Sequence, residues 1–172
     1  VYTGGTDHGG IFLRLTYLRS YREFMMDVVE EPPELAQLIG IVEDFWMEIA
    51  RRWVDLGADQ ISFGDDLGLQ DRLPLSPATW RRVLKPPYQR IMSYCRSRGA
   101  HVFLHTDGYI VDIIPDLIEC GVSTLNPQEL VNGLGNLEEL AKGKVYLDLD
   151  IDRQHITPYG TPEEIDTHIL NC

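Results

Sequence analysis

The chain has 172 residues, 44% hydrophobic and 24% charged, with 27 acidic against 15 basic side chains and a formal net charge of −12. That is enough apolar material for one globular domain with a sizeable core, and no run approaches the ~18 apolar residues that span a bilayer. So acidic a chain lacks the basic stripe that nucleic acid requires; Arg51-Arg52, Arg81-Arg82 and Arg96-x-Arg98 fall on predicted helices and read as solvated faces.

The first residues, VYTGGTDHGG, carry no initiator Met, basic region or apolar run, so they are not a signal peptide and read as the interior of something longer. Their glycines suggest a substrate loop bearing Tyr2, Asp7 and His8. Residues 33–56 form one predicted amphipathic helix, with Leu35, Leu38, Ile39, Val42, Phe45, Trp46, Ile49 and Trp53 at helical spacing and read as core. Ser76-Pro77 marks a second helix start, continued by Trp80, Val83 and Leu84. Asn136-Leu-Glu-Glu139 and Thr161-Pro-Glu-Glu164 both resemble capping boxes.

Four helical stretches end in glycine and run into a short apolar strand: Gly57 before QISFGDD, Gly99 before HVFLHTDG, Gly121 before STLNPQE and Gly143 before VYLDLDID. Glycine takes the left-handed conformation that closes a helix. Three cysteines without CxxC spacing, Cys95, Cys120 and Cys172, fit a reducing, cytoplasmic compartment. Cys120, at a helix end, reads as a small buried hydrophobe.

Strands alternating with helices predict an α/β fold with a parallel sheet, right-handed crossovers and strands buried on both faces. No G-x-G-x-x-G or GxxxxGK[ST] occurs, which removes the dinucleotide fingerprint and the P-loop. The expected architecture is a partial (β/α)8 TIM barrel, roughly the central-to-C-terminal half. Residues 1–172 are expected to form a single domain, incomplete at both ends, because four or five strands fall short of eight.

Barrel enzymes place chemistry at the carboxyl ends of strands. Those ends supply Asp65 and Asp66, His105 and Asp107, Asn126, and Asp148 and Asp150. One of Asp65 and Asp66 is expected to cap the next segment, and Asn126-Pro127 also suits a turn. His105 and Asp107 share a strand face by their i, i+2 spacing. A neutral imidazole with carboxylates suits zinc or a harder divalent ion, and Asp66 or Asp148 would complete the set. Asp148 and Asp150 also share a face, where two buried carboxylates need a cation, a shared proton or solvent. Asp152-Arg153 is a candidate for a substrate carboxylate or for a surface ion pair.

FGDDLGLQDRLPLSPATWRRVLKPPYQRI, GAHVFLHTDGYIVDIIPDLIECGVSTLNPQE and YGTPEEI, preceded by GGIFLRLTYLRSYREFMMDVVEEPPEL, together resemble the uroporphyrinogen decarboxylase superfamily. The resemblance implies a (β/α)8 barrel with a deep cleft at its carboxyl face. Authentic decarboxylases, which use no metal or cofactor, carry Gly-Leu-Asp-Trp where this chain has Ser123–Pro127, and Gly-Asn-Leu-Asp-Pro where it has Asp148–Asp152. Both departures favour the corrinoid-linked methyltransferase branch, which moves a methyl group between a corrinoid and a thiol or other acceptor. That branch binds zinc through His-x-Cys and a later Cys. His105 matches the first ligand, Asp107 stands where the Cys would be, and the later Cys would lie beyond Cys172.

The expectation is thus a methyltransferase-like enzyme with Asp66, His105 and Asp107 as catalytic residues, His105 and Asp107 as metal ligands, and Asp65, Asn126, Asp148 and Asp150 binding substrate. Its partners would be a small-molecule substrate and a corrinoid protein. The resemblance leaves two alternatives: cofactor-free decarboxylation of a porphyrinogen, with Asp66 or Asp107 stabilising a protonated pyrrole, or an inactive barrel fragment with an open apolar interior that needs a partner.

Overall fold

A computed structural model of the chain describes residues 1–6 and 9–172. Five strands pair in parallel in their sequence order: β1 (Thr3–Gly5), β2 (Gln60–Gly64), β3 (His101–Thr106), β4 (Thr124–Pro127) and β5 (Tyr146–Leu147). Helices α1 (Ile11–Arg19), α2 (Tyr21–Glu30) and α3 (Pro33–Asp55) separate β1 from β2. Then come α4 (Pro77–Val83) and α5 (Lys85–Ser97) before β3, and α6 (Ile114–Cys120) before β4. α7 (Glu129–Asn132) and α8 (Leu134–Ala141) precede β5, and α9 (Ile156–Tyr159) and α10 (Pro162–Asn171) follow it.

A doubly wound sheet reverses its strand order at a switch point. Here every new strand adds on the same side, and the helices stack in the same sequence, α3 on α5, α5 on α6 and α6 on α8. That is the winding of a partial (β/α)8 barrel.

α3 is set by Pro33 in its first turn and by a stripe of Leu35, Val42, Trp46 and Ala50, all buried. The indole of Trp46 donates to Gly10 O at 3.0 Å, which ties α3 to the start of α1. Phe45, expected in the core, is 53% exposed; one residue off the stripe lies about 100° round the helix, and its ring meets Trp46 edge-on from outside. Ser76 caps α4 through Thr79 N at 3.1 Å, and Thr161 and Glu164 form the reciprocal capping box of α10. Asn136 caps nothing: Gly133 turns the chain with φ 75°, α8 starts at Leu134, and the Asn136 amide donates to Asn132 O. Gly57, Gly99, Gly121 and Gly143 all take positive φ after their helices.

Within the glycine-rich start, Thr3–Gly5 is strand rather than loop. A Cβ on Gly4 would stand 2.4–2.7 Å from the Trp53 ring, so glycine there serves close packing. Tyr2 pairs with Asp59 at the amino end of β2, away from the strand exits. Asp7 and His8 lie outside the described residues.

β2 and β3 are not buried on both faces. In β3, Val102, Leu104 and Thr106 are buried, while Phe103 and His105 alternate with them and are half-buried. Register places Ser62, Phe103 and Thr124 in one row and Gly64, His105 and Asn126 in the next. With Tyr146 continuing the first row, this face mixes hydroxyl, imidazole and amide groups with the rings of Phe103 and Tyr146. Among the described residues no helix is long and apolar enough to cross a membrane.

Candidate metal centre at the strand exits

β2 ends at Gly64 and delivers two adjacent aspartates, whose side chains point to opposite sides. Asp65 is fully buried and turns toward the helices. Its oxygens accept the Phe12 and Leu13 amides at 2.7 and 2.8 Å, and the Tyr88 hydroxyl donates to it as well. Those amides belong to the first turn of α1, where negative charge is favourable. Burial nevertheless pushes the Asp65 carboxyl up to about 6, against the pull of Tyr88, Leu13 and Phe12. The Tyr88 hydroxyl is pushed well above its ordinary value by burial and by Asp65. Asp65 is thus spent on Phe12, Leu13 and Tyr88, and it caps an earlier helix, not the following segment.

Asp66 goes the other way. It offers one ligand atom that, with one each from His105 and Asp107, lies in a set whose members are all within 4.8 Å of one another. Among the described residues this is the one group of three or more His, Cys, Asp or Glu side chains so disposed. Main-chain bonds hold the two exits together: Asp65 N to His105 O at 3.0 Å, Gly68 N to Asp107 O at 3.1 Å and Tyr109 N to Leu69 O at 2.7 Å. The Thr106 hydroxyl also accepts the Leu67 amide. Gly68 and Gly108 cross so closely that a Cβ on Gly108 would stand 2.2 Å from Gly68 O.

From β4, Gln128 Oε1 accepts the Gly108 amide at 2.8 Å, and Asn132 brackets the same turn, accepting from Ile110 N and donating to Gly108 O. Gln128 and Asn132 leave only a faint mark in the sequence, a polar NPQELVN segment leaving a strand beside an Asp-Gly turn.

Asn126, 8% exposed, sits in β4 and not in a turn. Its Oδ1 lies 2.6 Å from His105 Nδ1, and its Nδ2 donates to Asp148 O at 2.6 Å. With Oδ1 as the acceptor, Nδ1 carries the imidazole proton and Nε2 is left as the ligating nitrogen. Nε2 faces Asp107 Oδ1 at 3.4 Å. One imidazole with two carboxylates fits zinc or a harder divalent ion.

Asp148 joins this arrangement through its main chain: its N–H donates to Leu125 O, and its carbonyl holds Asn126. β5 stops at Leu147, so Asp148 and Asp150 are not paired on a strand face. Asp150 instead lies 3.6 Å from Arg153, whose Nη2 donates to Asp107 Oδ1 at 2.7 Å. Asp152 is tied up by the Gln154 and His155 amides. No thiol joins the set among the described residues; burial pushes Cys95 up to about 11 and Cys120 up to about 12.

A methylcobamide:CoM methyltransferase, MtaA, of Methanosarcina barkeri is 26% identical over 114 residues, 66% of this chain and 32% of that protein. The solved structure of a methyltransferase from Methanosarcina mazei superposes with a TM-score of 0.78 at 24% identity, over 96% of this chain and 47% of that one. The chain thus spans less than half the length of either. The model of the family described as uroporphyrinogen decarboxylase (URO-D) matches residues 6–172. The chain belongs to the uroporphyrinogen decarboxylase family.

Proposed function

We propose that the chain carries the metal side of a methyl-transfer site, in which a methyl group passes between a corrinoid, held by a partner protein, and a small-molecule acceptor. The observation that carries this is the His105 imidazole, its Nδ1 spent on Asn126 and its Nε2 turned toward the carboxylates of Asp66 and Asp107. Those three side chains would hold a divalent ion, zinc first among them. Such an ion supplies Lewis acidity that lowers the pKa of a protic acceptor and turns it into a nucleophile at neutral pH.

The residues have separate tasks. Asn126 keeps the proton on Nδ1 and fixes the ring plane, and the Asp148 carbonyl orients Asn126 in turn. Asp66 and Asp107 supply the negative charge that balances the ion. A carboxylate in place of a thiolate makes the donor set harder, leaving more positive charge to act on the acceptor. The printed name of the M. barkeri relative and the family membership support the methyl-transfer reading.

The test is metal content of the full-length protein and of its His105→Ala variant, after incubation with zinc and removal of the excess. One equivalent in the parent and none in the variant is the expected result. No metal in either would sink the proposal and favour cofactor-free decarboxylation, with Asp66 or Asp107 acting by charge alone.

A further inference from the structure

Two groups converge on one atom. Asp107 Oδ1 lies 3.4 Å from His105 Nε2 and 2.7 Å from Arg153 Nη2. A divalent ion between the imidazole and Asp107 and a guanidinium bonded to that same carboxylate are like charges a few ångströms apart. They compete for one negative charge.

The displaced guanidinium has somewhere to go. Arg153 and Asp107 line a cleft of about 410 Å³ together with Gln70, Gln128, Gln154 and Glu129. Glu129 is only 5% exposed, yet among the described residues nothing donates a hydrogen bond to its Oε1. His168 Nε2 stands 3.7 Å from that oxygen, outside hydrogen-bond range, and also faces the Asp152 amide at 3.3 Å. A buried carboxylate oxygen left without a donor is costly. Asp150 already sits 3.6 Å from Arg153 Nε. Glu129, lining the same cleft, and Asp150 are further carboxylates on the Arg153 side.

We propose that Arg153 is the specificity-determining cation of this centre, which rests on the metal reading of Asp66, His105 and Asp107. It neutralises Asp107 when no ion is bound, and it moves onto Glu129 and Asp150 when a divalent ion takes that carboxylate. A singly charged ion gains nothing over the guanidinium already there, so the centre retains only ions able to displace it. Arg153 is a positioning residue in this scheme and touches no reacting atom.

The experiment is zinc affinity of the full-length protein, read by competition with a chromophoric chelator at low salt, for the parent, Arg153→Gln, Arg153→Lys and Glu129→Gln. The Arg153 and Asp107 side chains are 46% and 39% exposed, so their attraction is screened. Arg153→Gln is expected to bind zinc about tenfold more tightly, and the gain should shrink as salt rises. Arg153→Lys should stay near the parent, because it restores the charge.

Glu129→Gln should weaken binding several-fold, roughly the worth of one charge-assisted contact; unchanged affinity there would remove Glu129 as a place to which Arg153 moves. Misfolding does not produce a gain in affinity, so a tighter Arg153→Gln is diagnostic. Equal or weaker zinc binding in Arg153→Gln overturns this inference alone and leaves the metal centre standing. Absence of zinc from all four proteins brings down the metal reading and this inference with it.

Discussion

Asn126 holds His105 by one end of its amide and is itself held by the other, with both contacts at 2.6 Å. The chain of Asp148 carbonyl, Asn126 amide and His105 ring decides which imidazole nitrogen faces the carboxylates. Asn126→Ala is therefore expected to lower metal affinity about 10–100-fold while leaving all three ligands in place. Chelator competition on the variant checks this, and parent-like affinity would remove Asn126 from the site.

The buried Asp65 carboxyl makes a pH prediction. Burial raises it from 3.8 to about 6, so between those values the folded chain binds the proton more strongly than the unfolded chain. Its contribution is fully present below pH 3.8 and is lost as pH rises through 6, on the order of 3 kcal/mol in all. Asp116 works in the opposite sense at lower pH. Burial pushes its carboxyl up, but the hydrogen bonds and charges of Arg81 and Lys85 outweigh that and hold it below 3.8. Denaturant titrations from pH 4 to pH 7 should show the fall in stability in the parent and its loss in Asp65→Asn. The same slope in both would show that Asp65 is not its source.

Gly108→Ala should be severely destabilising. Gly108 has φ 81°, where a side chain is strained, and its Cβ would meet Gly68 O at 2.2 Å and Gly68 C at 2.3 Å. Both partners are main chain and have little room to retreat, so a loss of roughly 3–5 kcal/mol is expected. Gly135→Ala is the contrast. It lies within α8 with nothing within 4 Å of its added Cβ, and should gain about 0.5–1 kcal/mol from helix propensity. Thermal melts of the two variants decide it.

The framework was legible where a single residue type leaves a physical mark: glycines that end helices, Ser76 and Thr161 that start them, and the i, i+2 pair His105 and Asp107. What escaped depends on residues far apart in the chain. Asp65 and Asp66 are neighbours, and which of them faces the centre is decided by Tyr88 and by the α1 amides 52 and 53 positions away. Gln128 and Asn132 reach across from the next strand, and Arg153 reaches Asp107 over 46 positions. Phe45 shows the limit within a single helix, since apolar spacing admitted it to a stripe that the packing leaves outside.

The crossing of Gly68 and Gly108 separates two kinds of heritable change in this centre. Where the ligands stand is written in peptide groups, which a substitution at Asp66, His105 or Asp107 does not rewrite. What the ligands are is written in side chains that project from that fixed scaffold. A single codon at position 107 can therefore exchange one side chain for another while the main-chain bonds that carry it stay as they are.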